Sequence, residues 1–422
     1  MATTTAWGEQ IQVFMDVGFP QDPFTLDSAT LGVLNGDSYL DGSLLGDDVA
    51  AYVQQITITR GRQDQLSVFS AGNASITLLN NDRRFDPTNQ SSPYFDPATG
   101  LSGVTPRRRV AIYLDDEPVF VGRITDIDLS YATGKSTDLS TVTINVADDF
   151  VLLANAATTQ DRTPAVELSG DRLSYLLALP EVAYSGAVAI GAGTAVLGDY
   201  PLTANTNVLS YAQAITTSEQ GLFFVSRDGT LTFTDRVAAA FVSPFASFGD
   251  DQTTDIKYQE LSILYGQEFL YNKVVATRDS GLPQVANDAA SQTEYGISTL
   301  NLSGLLVSDD TAALALADDL LELYKEPAFR FENMRLQLSS LVFLERERCN
   351  QLELGDSILV TRNYQTGSPA SVEKTQTVER LRHVITPNFH TLEVAMSDAY
   401  VVFPFILDDA TFGVLDTDNA LA

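Results

Sequence analysis

A chain of 422 residues carrying a formal charge of −30 is longer than one hydrophobic core usually serves, so two to four domains are expected. Its single cysteine, Cys349, excludes an internal disulfide, and with only His383 and His390 beside it one chain cannot assemble a Cys/His zinc site. The acidic excess opposes the neutralisation of phosphates on which ordinary nucleic-acid binding rests, and the frequent Gly, Asn and Asp among 44% apolar and 9% aromatic residues predict a mainly β protein.

The charge is unevenly spread. Eight acids and no Lys or Arg precede Arg60, and six acids and no Lys or Arg follow Arg382. The opening MATTTAWGEQ has no positive region leading into an apolar core, so no secretory signal is expected. The uncharged run 182–198 is broken by four glycines and is too short to span a bilayer. A soluble protein made in a cytosol, without a membrane anchor, is the expectation.

In chain order, residues 11–15 read as a strand, followed by the breakers Pro20 and Pro23. Residues 24–40, FTLDSATLGVLNGDSYL, then return near the other end as 405–421, FILDDATFGVLDTDNAL. The copies share Phe24 and Phe405, Leu26 and Leu407, Asp27 and Asp408, Val33 and Val414, and Leu34 and Leu415. A duplicated β-turn with flanking strands is the plainer reading. A segment this short cannot bury its own apolar side chains, however, so each copy is expected to dock on a partner surface through these positions.

The clearest pattern lies at 55–87. Ile56 and Ile58 alternate with Thr57 and Thr59, and Ile76 and Leu78 alternate with their neighbours over 74–79, the period of half-buried strands. Gly61 and Ala71-Gly72 signal turns between them, and Asn80-Asn81-Asp82 with Asp86-Pro87 takes the chain out of the sheet. Residues 110–114 and 119–124 read as a hairpin around Asp115-Asp116-Glu117-Pro118, and 141–146 as another strand. The densest positive run, Arg107, Arg108 and Arg109, reads either as the solvated start of a strand, paired with nearby acids, or as a contact with an acidic partner.

Beyond residue 156 the pattern turns to α+β. A helix over 171–179 is ended by Pro180, and a second over 207–219 places Val208, Tyr211, Ala212 and Ile215 on one stripe with Gly221 past its end. Strands at 222–225 and 230–234 flank Arg227-Asp228-Gly229. Gly191-Ala192-Gly193 is followed by neither Lys-Ser/Thr nor a helix start and is not a phosphate loop. From 261 onward strands return at 272–277, 335–338, 357–361, 376–381 and 390–396, with a turn at Leu352-Glu353-Leu354-Gly355-Asp356. A helix starting at Asp309 or Asp310 runs through Tyr324 with Ala313, Leu316, Leu320 and Leu323 inward, stopped by Pro327.

No catalytic, cofactor-binding or metal-binding residue is expected. Pairs such as Asp47-Asp48, Asp148-Asp149 and Asp408-Asp409 arise by chance among 55 acids, and a glycosidase pair needs a cleft that spacing does not show. G-x-S-x-G, H-E-x-x-H and P-loop motifs are missing. Asp416-x-Asp418 begins like a calcium loop without the loop glycine or the distant glutamate. Cys349, near Arg346 and Arg348, reads as a structural thiol.

The run Ile56, Thr57, Arg60-Gly61-Arg62, Ala71 to Ala74, Leu78, Asn80, Asp82-Arg83-Arg84-Phe85-Asp86-Pro87 and Pro106-Arg107-Arg108-Arg109-Val110 resembles minor tail proteins of long-tailed bacteriophages, of the baseplate hub (tail-tip hub) family. Asn272-Lys273-Val274, Tyr324-Lys325-Glu326-Pro327, Leu354-Gly355-Asp356 and Ser397-Asp398-Ala399 agree with it, so the resemblance covers about 52–400. It implies two tail-tube-like β-barrel or sandwich domains, 53–155 and 251–400, flanking a small α+β domain at 156–250. Extended acidic arms at 1–52 and 401–422 complete the chain. It further implies a homotrimeric virion protein, assembled in the host cytoplasm, that closes the tail tube, adapts a sixfold tube to a threefold tip and lines the DNA channel. Its implied partners are the distal tail protein, the tape measure protein and other minor tail proteins, with DNA passing through the lumen without sequence-specific contact. Some hub relatives carry a peptidase or lysozyme extension; none follows Ala422, so cell-wall cleavage is not expected. The alternatives are a distal tail protein, which would be hexameric, and a carbohydrate-binding tail or surface protein.

Overall fold

The computed structural model describes residues 3–17, 46–131, 140–236, 243–251, 255–399, 403–404 and 419–420. Six antiparallel strands build a first lobe: β1 (Gln10–Met15), β2 (Val53–Gly61), β3 (Asn73–Leu79), β4 (Arg109–Leu114), β5 (Glu117–Ser130) and β6 (Thr141–Ala147). They pair in the order β1-β4-β5-β6-β3-β2. Alternate side chains point inward, so Val13, Ile56, Ile76, Ile112 and Ile144 from five strands meet in one core and the sheet curls around them as a half-barrel. The turns at 80–94 add Phe85, whose ring stacks on Tyr94 with centroids 5.7 Å apart. The β4–β5 hairpin turns on Asp115 and Asp116 alone, at φ 49° and 67°, and Glu117 and Pro118 belong to β5 rather than to the turn. Two left-handed residues give a twist that matches the paired strands.

Next come α1 (Phe150–Ala154), α2 (Ser169–Leu177), β7 (Val188–Ile190), α3 (Val208–Glu219), β8 (Leu222–Val225) and β9 (Leu231–Thr234). β9 sits between antiparallel β8 and parallel β7. The Asn207 side chain caps α3 by accepting the Ser210 N–H at 3.0 Å, and Val208, Tyr211, Ala212 and Ile215 are all buried. The left-handed residue that ends the helix is Gln220, at φ 57°, one position before the expected Gly221. α2 begins and ends two residues earlier than expected, since the chain already turns helical at Ser169.

The second lobe begins with β10 (Ala246–Gly249) and β11 (Glu260–Tyr265) and is interrupted by a compact unit of β12 (Lys273–Arg278), β13 (Gln284–Asn287), α4 (Ala289–Tyr295), β14 (Thr299–Leu305) and α5 (Asp310–Tyr324). This unit has its own core, centred on Val274, Ala276, Leu316 and Leu320. Asp309 caps α5 through the Ala312 N–H at 2.9 Å. Leu323, expected inward, is 46% exposed because Tyr324 takes the inward place in the last turn. β15 (Phe329–Gln337), α6 (Phe343–Asn350), β16 (Ser357–Asn363), β17 (Ser371–Ile385) and β18 (His390–Asp398) complete the lobe.

β17 joins the lobes. One edge carries β18, and the other pairs first with β16 over Ser371 to Thr377 and then with β2 over Arg380 to Ile385. One hydrogen-bonded sheet therefore runs through the molecule. Where the edge passes from β16 to β2 stands Gly61, at φ 110°, and a Cβ there would overlap the Glu379 carbonyl, so the close approach requires glycine. The core of the second lobe, with Phe331, Leu336 and Leu392, continues into Leu173, Ile215 and Phe223 of the first insertion.

Candidate interaction surfaces

The arm residues Phe24, Leu26, Asp27, Val33, Leu34, Phe405, Leu407, Asp408, Val414 and Leu415, with the acids at 409, 416 and 418, lie outside the described residues. The arginine run is described, and it divides. Arg107 is exposed at φ 70°, and its N–H donates to the Ile124 carbonyl at 2.7 Å. Arg108 lies 3.5 Å from Asp16. Arg109 opens β4, half-buried, and its carbonyl accepts the Asp16 N–H at 2.9 Å. Only Arg108 of the three makes an ion pair within the described residues.

A buried polar seam lies where the N-terminal strand, the β4–β5 hairpin, α6 and the second lobe meet. Glu9 accepts hydrogen bonds from Trp7 Nε1 and Asn350 Nδ2, each at 3.2 Å, and its oxygens lie 3.0 and 3.1 Å from His390 Nδ1. His390 Nε2 lies 3.0 Å from His383 Nδ1. Arg346 approaches Glu9 to 3.8 Å and donates to Asp115 Oδ2 at 2.9 Å, while Asp115 Oδ1 accepts the Gln10 N–H at 2.8 Å. Arg227 reaches Glu117 at 3.2 Å, and Arg60 bonds Glu353 and, at 3.2 Å, the Val225 carbonyl.

Burial alone raises the Glu9 carboxyl, but His390, Asn350 and Arg346 together outweigh it and hold the group below its ordinary range. Burial, then His390 and Arg60, lowers His383 well below its ordinary value. Both rings are closed to solvent, so no substrate can reach them, and the pair ties the N-terminal strand to the second lobe. In the sequence the two histidines suggest only zinc ligands. Their spacing across the β17–β18 hairpin was visible in it, but nothing local pointed to Glu9, 381 residues from His390.

The other candidate chemistry is likewise occupied. Asp148 accepts the Gly72 and Phe150 N–H groups at 2.7 and 3.0 Å, and burial pushes its pKa up to about 7. Asp149 pairs with Arg123 at 2.9 Å and accepts the Tyr184 hydroxyl at 3.1 Å. Past Gly193 the amides of Thr194 and Ala195 donate to the buried Glu219 carboxylate at 3.1 and 2.6 Å, so the chain's own carboxylate fills the place an anion would take. Cys349 is fully buried, and burial with Glu345 nearby pushes its thiol far up. Among the described residues no three His, Cys, Asp or Glu are placed to hold a metal, and no helix is long and apolar enough to cross a membrane.

The mainly β fold, with its sheet curled and continued through two lobes, is similar to the fold of phage tail proteins. The chain is similar to a tail protein from Neisseria meningitidis MC58, with TM-score 0.54 and 12% identity over 93% of this chain and 96% of that one. It is equally similar to the 43 kDa tail protein of prophage MuSo2 from Shewanella oneidensis, with TM-score 0.55 and 12% identity over 93% of this chain and 99% of that one. The resemblance read from the sequence thus holds in the fold, over nearly the whole chain. No model of a known protein family matches the sequence, and no curated protein matches it.

Proposed function

We propose that the chain is a structural virion protein, a trimeric baseplate hub at the tail tip that closes the tail tube and matches its sixfold symmetry to a threefold tip. The observation that carries this reading is the end-to-end likeness to two phage tail proteins, 93% of this chain against 96% and 99% of theirs. One sheet shared by two lobes supports it; on this reading 53–155 and 251–400 serve as two wall segments, with 156–250 as the small domain beside them. Three copies then present six such segments to a sixfold tube. In this reading the protein is not an enzyme, and its partners are the distal tail protein, the tape measure protein and other minor tail proteins. DNA passes through a lumen whose acidic wall does not hold it, in keeping with the charge of −30.

Residues 3–17 belong to the first lobe, β1 lying in its sheet, so the docking arms are the repeated segments 24–40 and 405–421, which dock on like surfaces with Phe24 and Phe405, Leu26 and Leu407, and Val33 and Val414 in matching pockets. Arg107, Arg108 and Arg109 belong to a subunit contact. Mass photometry of the purified protein tests the reading. A species at three times 45.7 kDa is the expected result, six copies would mark a distal tail ring instead, and a persistent monomer would end the ring proposal. Removal of 405–422 is expected to leave the lobes folded and to weaken incorporation into tails, as read by counting the protein in particles assembled with the truncated chain.

A further inference from the structure

Most large apolar side chains of the described residues are buried, but the second lobe displays three close together. Tyr265 ends β11 at 69% exposure, Tyr295 ends α4 at 44%, and Ile297 follows Gly296 at 73%. Glu294 beside the Tyr295 hydroxyl raises it, burial adds to this, and Tyr265 and Glu326 stand near enough to act in the same direction. The nearby Lys325 is engaged by Glu322 at 2.7 Å. The patch is therefore apolar and aromatic with an acidic rim, a surface suited to a guanidinium that stacks on the rings and pairs with the carboxylates.

The same chain offers such groups. Arg107 and Arg109 make no ion pair among the described residues, and Arg107 is held at a positive φ that a non-glycine residue rarely adopts. They stand on the first lobe, whereas the patch stands on the second. Between β4 and β11 lie seven paired strands, β5, β6, β3, β2, β17, β18 and β15, at about 4.8 Å each. Two unlike, complementary faces on different lobes of one chain can give head-to-tail contacts, which close into a ring when the rotation allows.

We infer that the Arg107/Arg109 turn of one copy seats on the Tyr265/Tyr295/Ile297 patch, between Glu294 and Glu326, of the next copy. This rests on the self-assembling reading above and names its contact. The test compares full-length chains by sedimentation over a range of concentrations: wild type, Arg107→Glu with Arg109→Glu, Glu294→Arg with Glu326→Arg, and the four changes together. Arg107, Glu294 and Glu326 are exposed, and Arg107→Glu alone serves as a second variant should the half-buried Arg109 position disturb folding.

Each reversed pair is expected to lower the association constant at least tenfold, and the combined variant to recover to within about threefold of wild type. A wild type that stays monomeric overturns the inference together with the reading beneath it. An assembling wild type whose reversed variants associate equally well overturns the inference alone. Two weakened variants that fail to rescue each other overturn the pairing.

Discussion

Glu9, His390 and His383 form a chain in which each member fixes the next, and its titration has a definite sign. The His383 pKa is lowered on folding, so below its ordinary value of 6.5 the unfolded chain binds a proton that the folded one refuses. Stability complete above about pH 6.5 is then lost as pH falls, by up to about 1.4 kcal/mol per unit. Asp148 acts oppositely. Its carboxyl, raised from 3.8 to about 7, contributes fully below 3.8, and that contribution is lost as pH rises through about 7. Comparison with His383→Gln isolates the histidine. Between pH 7 and 5 the urea midpoint of wild type is expected to fall further than that of the variant, and equal falls would detach the effect from His383. Glu9→Ala, which takes from His390 Nδ1, Asn350 Nδ2 and Trp7 Nε1 their shared acceptor and from Arg346 one of its two carboxylates, is expected to cost on the order of 3 kcal/mol in denaturant titration. None of this was legible in sequence, because a buried ion network is made by residues that only the finished fold brings together.

Elements were legible where local chemistry decides them. The strands at 55–60 and 74–79 and the helix capped by Asn207 follow from alternation and from a side chain that satisfies its own backbone. α6 was missed: Phe343, Leu344 and Val342 stay exposed while Arg346 and Cys349 are buried, the reverse of an amphipathic pattern. The Asp115-Asp116 turn yields a paired prediction. Asp116 is exposed in the left-handed region, so Asp116→Gly is expected to raise stability by roughly 0.5–1 kcal/mol. Asp115 bonds Gln10 and Arg346 through its side chain, so Asp115→Gly should lower stability despite an equal relief of backbone strain. Thermal melts of the two variants that shift in the same direction would contradict this account. Gly61→Ala, blocked by the Glu379 carbonyl, is expected to cost at least about 2 kcal/mol and to loosen the joint between lobes, which hydrogen exchange in β2 and β17 would read.

At the scale of the whole molecule, composition revealed the β class and the acidity, and turn grammar revealed the family of folds. The path of the sheet was hidden, because a strand's partner is not written in its own residues. Assembly of three chains would bring together a charge of about −90, so raising salt from low to moderate should strengthen it by screening the long-range repulsion, the close contacts between copies being screened less. Association that weakens steadily over that range would count against the ring. The joint made by β17 also sets an order of events in time. β2 is synthesised early, yet its edge is paired only when residues 380–385 arrive, and Glu9 waits on the order of 20–80 s at 5–20 residues per second for His390 to leave the ribosome. During that interval the first lobe stands with β2 as a bare strand edge, open to the same edge on a neighbouring nascent chain. Chains released before residue 371 are therefore expected to aggregate through β2, and a lysine facing outward on that strand should keep them soluble.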